Sequence, residues 1–137
     1  MQLAQLSRGW RAELDRRLAD IGLSQARWLV LLHLARFEHL PTQRELAKSV
    51  AVEGPTLARL LDGLEAQGLI KRQADPIDRR AKKVVLQPSA EPVIRRLEEI
   101  SAQLREEVFA GINEEDLRFC QQIQSLVLEN LEKARQG

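Results

Sequence analysis

The chain has 137 residues, of which 44% are hydrophobic and 30% charged, a balance that supports one folded domain and excludes a disordered or collagen-like polymer. Its single cysteine, Cys120, excludes an internal disulfide or a cysteine-built zinc site. The formal net charge of +1 excludes a protein that holds polyanions by bulk charge alone.

Leu3, Leu6, Trp10, Leu14, Leu18 and Ile21 recur at helical spacing, which predicts an amphipathic helix over roughly the first twenty residues, ended by Gly22. Ser24 is placed to cap a second helix. Its run from Trp28 to Leu34 is apolar on more than one side and belongs at the centre of the fold. After a loop through Pro41, Thr42 and Glu45 form a capping box that starts a short helix to about Val50. Leu46, Ala47 and Val50 are expected to face inward. Gly54-Pro55 opens the next helix, which carries Leu57, Leu60, Leu61 and Leu64 on its inner face and stops at Gly68.

The period then changes from helical to extended. Leu69–Arg72 and Lys83–Leu86 are short and β-compatible, and the polar stretch between them predicts a hairpin with a long tip. From Pro88 the chain returns to helix, with Val93, Leu97, Ile100, Leu104 and Val108 forming a stripe that ends near Gly111. Asn113 caps a last helix, whose acidic first turn suits the positive end of the helix dipole. Leu117, Cys120, Ile123, Val127 and Leu131 continue its apolar face. No stretch is long enough to cross a bilayer and no secretory leader pattern follows Met1, so a cytoplasmic protein is expected.

The fold class is therefore mainly α with a small β-hairpin: a winged helix-turn-helix over about residues 24–87, with further helices at 1–21 and 88–137 in one domain of 1–137. In that geometry the helix from Pro55 enters the major groove. Turning its leucines inward at 100° per residue points Pro55, Thr56, Arg59, Asp62 and Gly63 outward. Thr56 can touch phosphate or a thymine methyl, and Arg59 can read guanine.

Between Lys71 and Lys83 six basic residues face two acids, a local charge of +4 that leaves −3 for the remainder. At the hairpin tip Asp78 stands beside Arg79 and Arg80, with Lys82 and Lys83 behind. A carboxylate there can orient one arginine while another enters a minor groove. Asp75 and Asp78 could instead be read as a metal pair, but the four adjacent cations favour ion pairing, and no metal or cofactor is expected. The two histidines, His33 and His39, have no nucleophile or paired carboxylate at motif spacing, so catalysis is not expected either. A winged helix that binds only protein would need a neutralised wing, and the chain lacks the aromatic pairs of single-strand RNA readers.

The stretch from Glu65 to Arg72, followed by Asp75-Pro76-Ile77-Asp78-Arg79-Arg80-Ala81-Lys82-Lys83-Val84-Val85-Leu86, resembles the recognition-helix end and wing of MarR-family regulators. Similarity to the SlyA-like branch extends through Gly9-Trp10-Arg11-Ala12, Leu23-Ser24-Gln25-Ala26-Arg27-Trp28 and Ala90-Glu91-Pro92-Val93-Ile94. The resemblance implies a homodimer, joined through the terminal helices, that acts as a repressor or anti-silencer on palindromic double-stranded DNA. It also implies release by a small aromatic carboxylate such as salicylate. Trp10 and Trp28 would supply ring faces for it, and Arg11 and Arg59 guanidinium groups. Ordinary core packing is the competing explanation for both tryptophans, and packing within the last helix is the expectation for Cys120.

Overall fold

The computed structural model describes residues 2–137. Six α-helices and one hairpin follow in the order α1 (Gln2–Arg17), α2 (Gln25–Ala35), α3 (Gln43–Val50), α4 (Gly54–Ala66), β1 (Ile70–Ala74), β2 (Lys82–Leu86), α5 (Glu91–Val108) and α6 (Glu114–Gln136). Short 3₁₀ turns at Ala19–Ile21 and Pro88–Ala90 lengthen the first helical segment and lead into α5. The fold is thus mainly helical with a two-stranded antiparallel sheet, as the sequence periodicities require. No helix among the described residues is long and apolar enough to cross a membrane. The backbone divides into two compact units, one reaching to Leu104 and one from Arg105 to Gly137.

In the first unit α2 forms the centre. Trp28, Val30, Leu31, Leu32 and Leu34 are all buried on it, so its apolar residues surround the helix instead of lining one side. They meet Leu14 and Leu18, Leu46, Leu57, Leu61 and Leu64, Ile70 and Val84, and Leu97 and Leu104 in one continuous core. The indole N–H of Trp28 would be costly to bury alone; it donates to Asp15 Oδ1 at 3.0 Å.

The helix boundaries follow their caps. Ser24 Oγ accepts from the Arg27 amide, and Thr42 and Glu45 complete a reciprocal capping box at α3. Glu45 also meets His39 Nε2 at 3.0 Å. The Thr42 amide, followed by His39, holds the Glu45 carboxyl down at about 2. Helix α3 ends with Ala51 in the left-handed region at φ 63°, a conformation that a side chain adopts at some cost. The Val52 amide repays this by bonding the Ala47 carbonyl at 3.0 Å, which closes the tight turn into α4.

Strands β1 and β2 pair from Ile70 with Leu86 through Ala74 with Lys82. Just before α3 the chain adds itself to the sheet, with a bridge from Thr42 to Lys83 and a 3.0 Å bond from the Val84 amide to the Pro41 carbonyl. The hairpin is thereby tied to the start of the helix-turn-helix.

Leu60 and Val50 are half-buried at the edge of the core, Leu60 because it falls about 60° to the side of the stripe that Leu57, Leu61 and Leu64 define on α4 at 100° per residue. In the second unit Asn113 caps α6 as expected, accepting from the Glu115 amide. No residue of α6 is buried, and Cys120 is exposed instead of packed. A single helix has only one side to offer its own turns, so its apolar face finds no core inside its own unit.

Candidate nucleic-acid interface

Helices α3 and α4 and the hairpin enclose an open concavity of 1030 Å³, lined among others by Thr42, Arg44, Gly54, Arg72, Arg80 and Lys82. Pro55 lies in the first turn of α4 beside this opening, where its missing N–H is no loss. Pro55 and Arg59 are exposed and Thr56 is half-buried. The first turn of α4 carries no acid. The face that carries Pro55, Thr56 and Arg59 is therefore open and has no acid in its first turn, while Glu53 stands exposed just before it at the N-cap.

Asp62 also points outward, but it is not free. Arg72, in β1, donates from Nη2 to Asp62 Oδ1 at 2.6 Å and from Nε to Glu65 Oε2 at 2.9 Å. The Asp62 bond, with that to Glu65, raises the affinity of the guanidinium for its proton. One fork thus joins the hairpin to the outer face of α4 and offsets one of the two negative charges there. Gly63 departs from its expected outward exposure. The Arg27 guanidinium lies over it, in the space a Cβ would occupy, and donates to Gln67 Oε1 at 3.3 Å.

The hairpin tip is a bonded turn. The Asp75 amide donates to the Ala81 carbonyl and the Ala81 amide to the Asp78 carbonyl, each at 3.0 Å. Asp75 Oδ1 accepts from the Ile77 amide at 2.9 Å, and Asp78 Oδ1 from the Arg80 amide at 3.1 Å. Asp78 therefore orders backbone more than it orients a guanidinium, since Arg80 Nε stands 3.8 Å away and the Arg80 side chain is 97% exposed. Arg79 and Lys82 are exposed as well. Lys83 behaves differently. Its ammonium donates to the Leu40 carbonyl at 3.2 Å and lies 3.9 Å from Asp75 Oδ2, so it fastens the wing to the body.

The four ligand-binding candidates do not share one environment. Trp28 is wholly buried in the core, and Arg59 is exposed on α4. On α1, Trp10 is half-buried, whereas Arg11 is exposed and donates to Ser7 Oγ at 2.9 Å. None of the four lines the concavity beside α4. Arg11 belongs to a different cluster. Burial, then the charges of Arg36 and Arg11, push the His33 imidazole below its ordinary pKa, and its Nδ1 meets Ser49 Oγ at 2.9 Å. Among the described residues no group of three or more His, Cys, Asp or Glu is placed to hold a metal ion.

Arg44 and Arg72 line the concavity and were not among the residues expected from the sequence to form the site. Arg44 sits in the first turn of α3, where Thr42 and Glu45 drew the reading toward capping. Arg72 was counted only as charge; its distance of ten and seven residues from its partners gave no helical pairing signal.

Arg72→Ala should cost only about 1 kcal/mol of stability, since its partners are largely exposed, yet weaken duplex binding by letting the wing drift from α4. Arg72→Lys should not restore binding, because an ammonium cannot fork between two carboxylates. Denaturant melts and anisotropy titrations with labelled duplex measure the two effects. Unchanged affinity in both variants would remove the clamp from the account.

A MarR family model matches residues 21–81. The chain is 62% identical to the transcriptional regulator PA3341, with 96% of each chain covered and a TM-score of 0.91. A MarR-family transcriptional regulator from Silicibacter pomeroyi is 27% identical over 94% of this chain and 86% of its own, at a TM-score of 0.84. The fold is also shared with S. aureus MepR, solved in complex with DNA, at 24% identity, 95% coverage of both chains and a TM-score of 0.82.

Proposed function

Because the chain belongs to the MarR family of transcriptional regulators, we propose that it binds double-stranded DNA sequence-specifically, as a homodimer on palindromic operators. The observation that carries this reading is the pairing of an open α4 face, whose first turn holds no acid, with a wing tip that holds Arg79, Arg80 and Lys82 out in solvent. Pro55, Thr56 and Arg59 meet the major groove; Arg79 and Arg80 reach the adjacent minor groove, Asp78 shapes their turn, and Lys82 meets phosphate. MepR, which has this fold, was solved with DNA bound.

Residues 24–87 form the DNA-binding lobe, and residues 1–21 and 88–137 the dimerisation helices. The exposed apolar stripe of α6, with Leu3 and Leu6 of α1, supports this division, since a second copy is the simplest partner for them. The SlyA-like assignment rests on the matching segments in α1, α2 and the start of α5. Repression by operator occupancy in the cytoplasm follows from the same reading. A small aromatic carboxylate such as salicylate releases the DNA. Trp10 and Arg11 are the strongest candidates to bind it, with Arg59 at the DNA-facing end, since Trp10 is half-buried and Arg11 exposed one residue on. Trp28 would contribute only if the core opened, because its ring is covered.

Selection of preferred duplexes from a random pool, with and without salicylate at fixed salt, tests this reading. An inverted repeat with half-sites about 10 bp apart, depleted by salicylate, is the expected result. Binding without any enriched motif would overturn it.

A further inference from the structure

Ile77 sits at the wing tip with 96% of its surface exposed, beside Pro76 and ahead of two exposed arginines. A single exposed apolar residue is common on protein surfaces, so exposure alone says little. The mounting of this one says more. Its own amide is held by Asp75 Oδ1 at 2.9 Å, the Arg80 amide by Asp78 Oδ1 at 3.1 Å, and the turn is closed by the paired backbone bonds of Asp75 and Ala81. A β-branched side chain, stiff at χ1, is thus presented from a bonded turn. It sits where the longest cations of the chain also project.

We propose that Ile77 is a specificity-determining contact: an apolar wedge that packs into the minor groove beside the wing arginines and favours A·T base pairs there. The proposal rests on the reading of the wing as a minor-groove element and adds what that element reads. Arginines answer phosphate charge and groove potential, but the sec-butyl side chain of Ile77 can answer only apolar surface. In the minor groove that surface is the deoxyribose edge and the floor of A·T pairs. A G·C pair places the guanine N2 amino group on that floor, where an isoleucine offers it no acceptor. Apolar wedges of this kind also loosen base steps, which are softest at TA and CA/TG. The tip therefore combines a charge contact at Arg79 and Arg80 with a hydrophobic discriminator at Ile77.

The substitution that tests this is structurally clean, because Ile77 is almost wholly solvated and its backbone bonds survive a change of side chain. Full-length protein and Ile77→Ser would be titrated against the selected operator. Two further duplexes would carry G·C or inosine·C pairs under the wing, since inosine lacks the N2 amino group. The wild-type protein should bind A·T and inosine·C duplexes about tenfold more tightly than G·C. Ile77→Ser should lose about five- to tenfold on the A·T duplex, treat all three nearly alike, and keep the same salt dependence, because no phosphate contact is lost. Retained discrimination in Ile77→Ser, or an altered salt slope, would overturn the wedge. Failure of the wild-type protein to bind any duplex would overturn the DNA reading together with it.

Discussion

Ile123→Glu combined with Val127→Glu should convert the protein from a dimer to a monomer and lower operator affinity by roughly 10²–10⁴-fold, the advantage normally gained by linking two binding modules. Phe119, Ile123, Leu126, Val127, Leu128 and Leu131 on α6 are each between 47% and 66% exposed. A soluble protein rarely leaves so many large apolar side chains of one helix to water, and in a homodimer a second copy can cover the face that Ile123, Val127 and Leu131 share. Glutamate is a good helix former, so the double variant should keep α6 helical while making the paired face unfavourable. Sedimentation gives the mass and anisotropy the affinity. A variant that stays dimeric, or a monomer that binds as tightly, would remove the dimer from the account.

The second large effect is expected at the wing. Arg80→Ala removes a 97% exposed side chain that stands 3.8 Å from Asp78 Oδ1, so stability should hardly change. Binding should weaken on every sequence, and the slope of log affinity against log salt should become shallower by about 1 for each wing. Arg59→Ala should behave differently. If Arg59 reads guanine from the exposed side of α4, its loss should cost about 1–3 kcal/mol per half-site and relax the preferred base at that position. Titration of both variants over a salt series, followed by repeated duplex selection, separates the two roles. Identical behaviour of both variants and wild type would discredit the contact map.

What was legible in the sequence was what is encoded locally. The Ser24 cap, the Thr42–Glu45 box and the Asn113 cap each depend on residues at most three positions apart, and all three form. The switch from helical to alternating period marked the hairpin, and Gly54-Pro55 marked the start of α4. The exposed tip arginines could also be placed, because a turn between strands has nowhere to go but outward.

Less legible were interactions set by the folded chain. Lys83 looks like its neighbour Lys82, yet β pairing brings it to the Leu40 carbonyl and Asp75, and one residue of offset decides between a solvent-exposed and a structural lysine. Gly63 is open on a helical wheel, but Arg27 from α2 covers it. Trp28 carries the aromatic character expected of a ligand site, while the partner of its N–H, Asp15, lies thirteen residues upstream and commits it to the core. In α6 the apolar period was visible, but not that its own unit offers nothing for Cys120 to pack against.

The central claim is sequence-specific binding by the surface that α4 and the wing share. Competition between the selected inverted repeat and a scrambled duplex of equal length and composition, at one physiological salt concentration, tests it most directly. The account predicts that the inverted repeat binds at least about 10³-fold more tightly. Equal affinity for the two duplexes would show that only phosphate is recognised, and would contradict it.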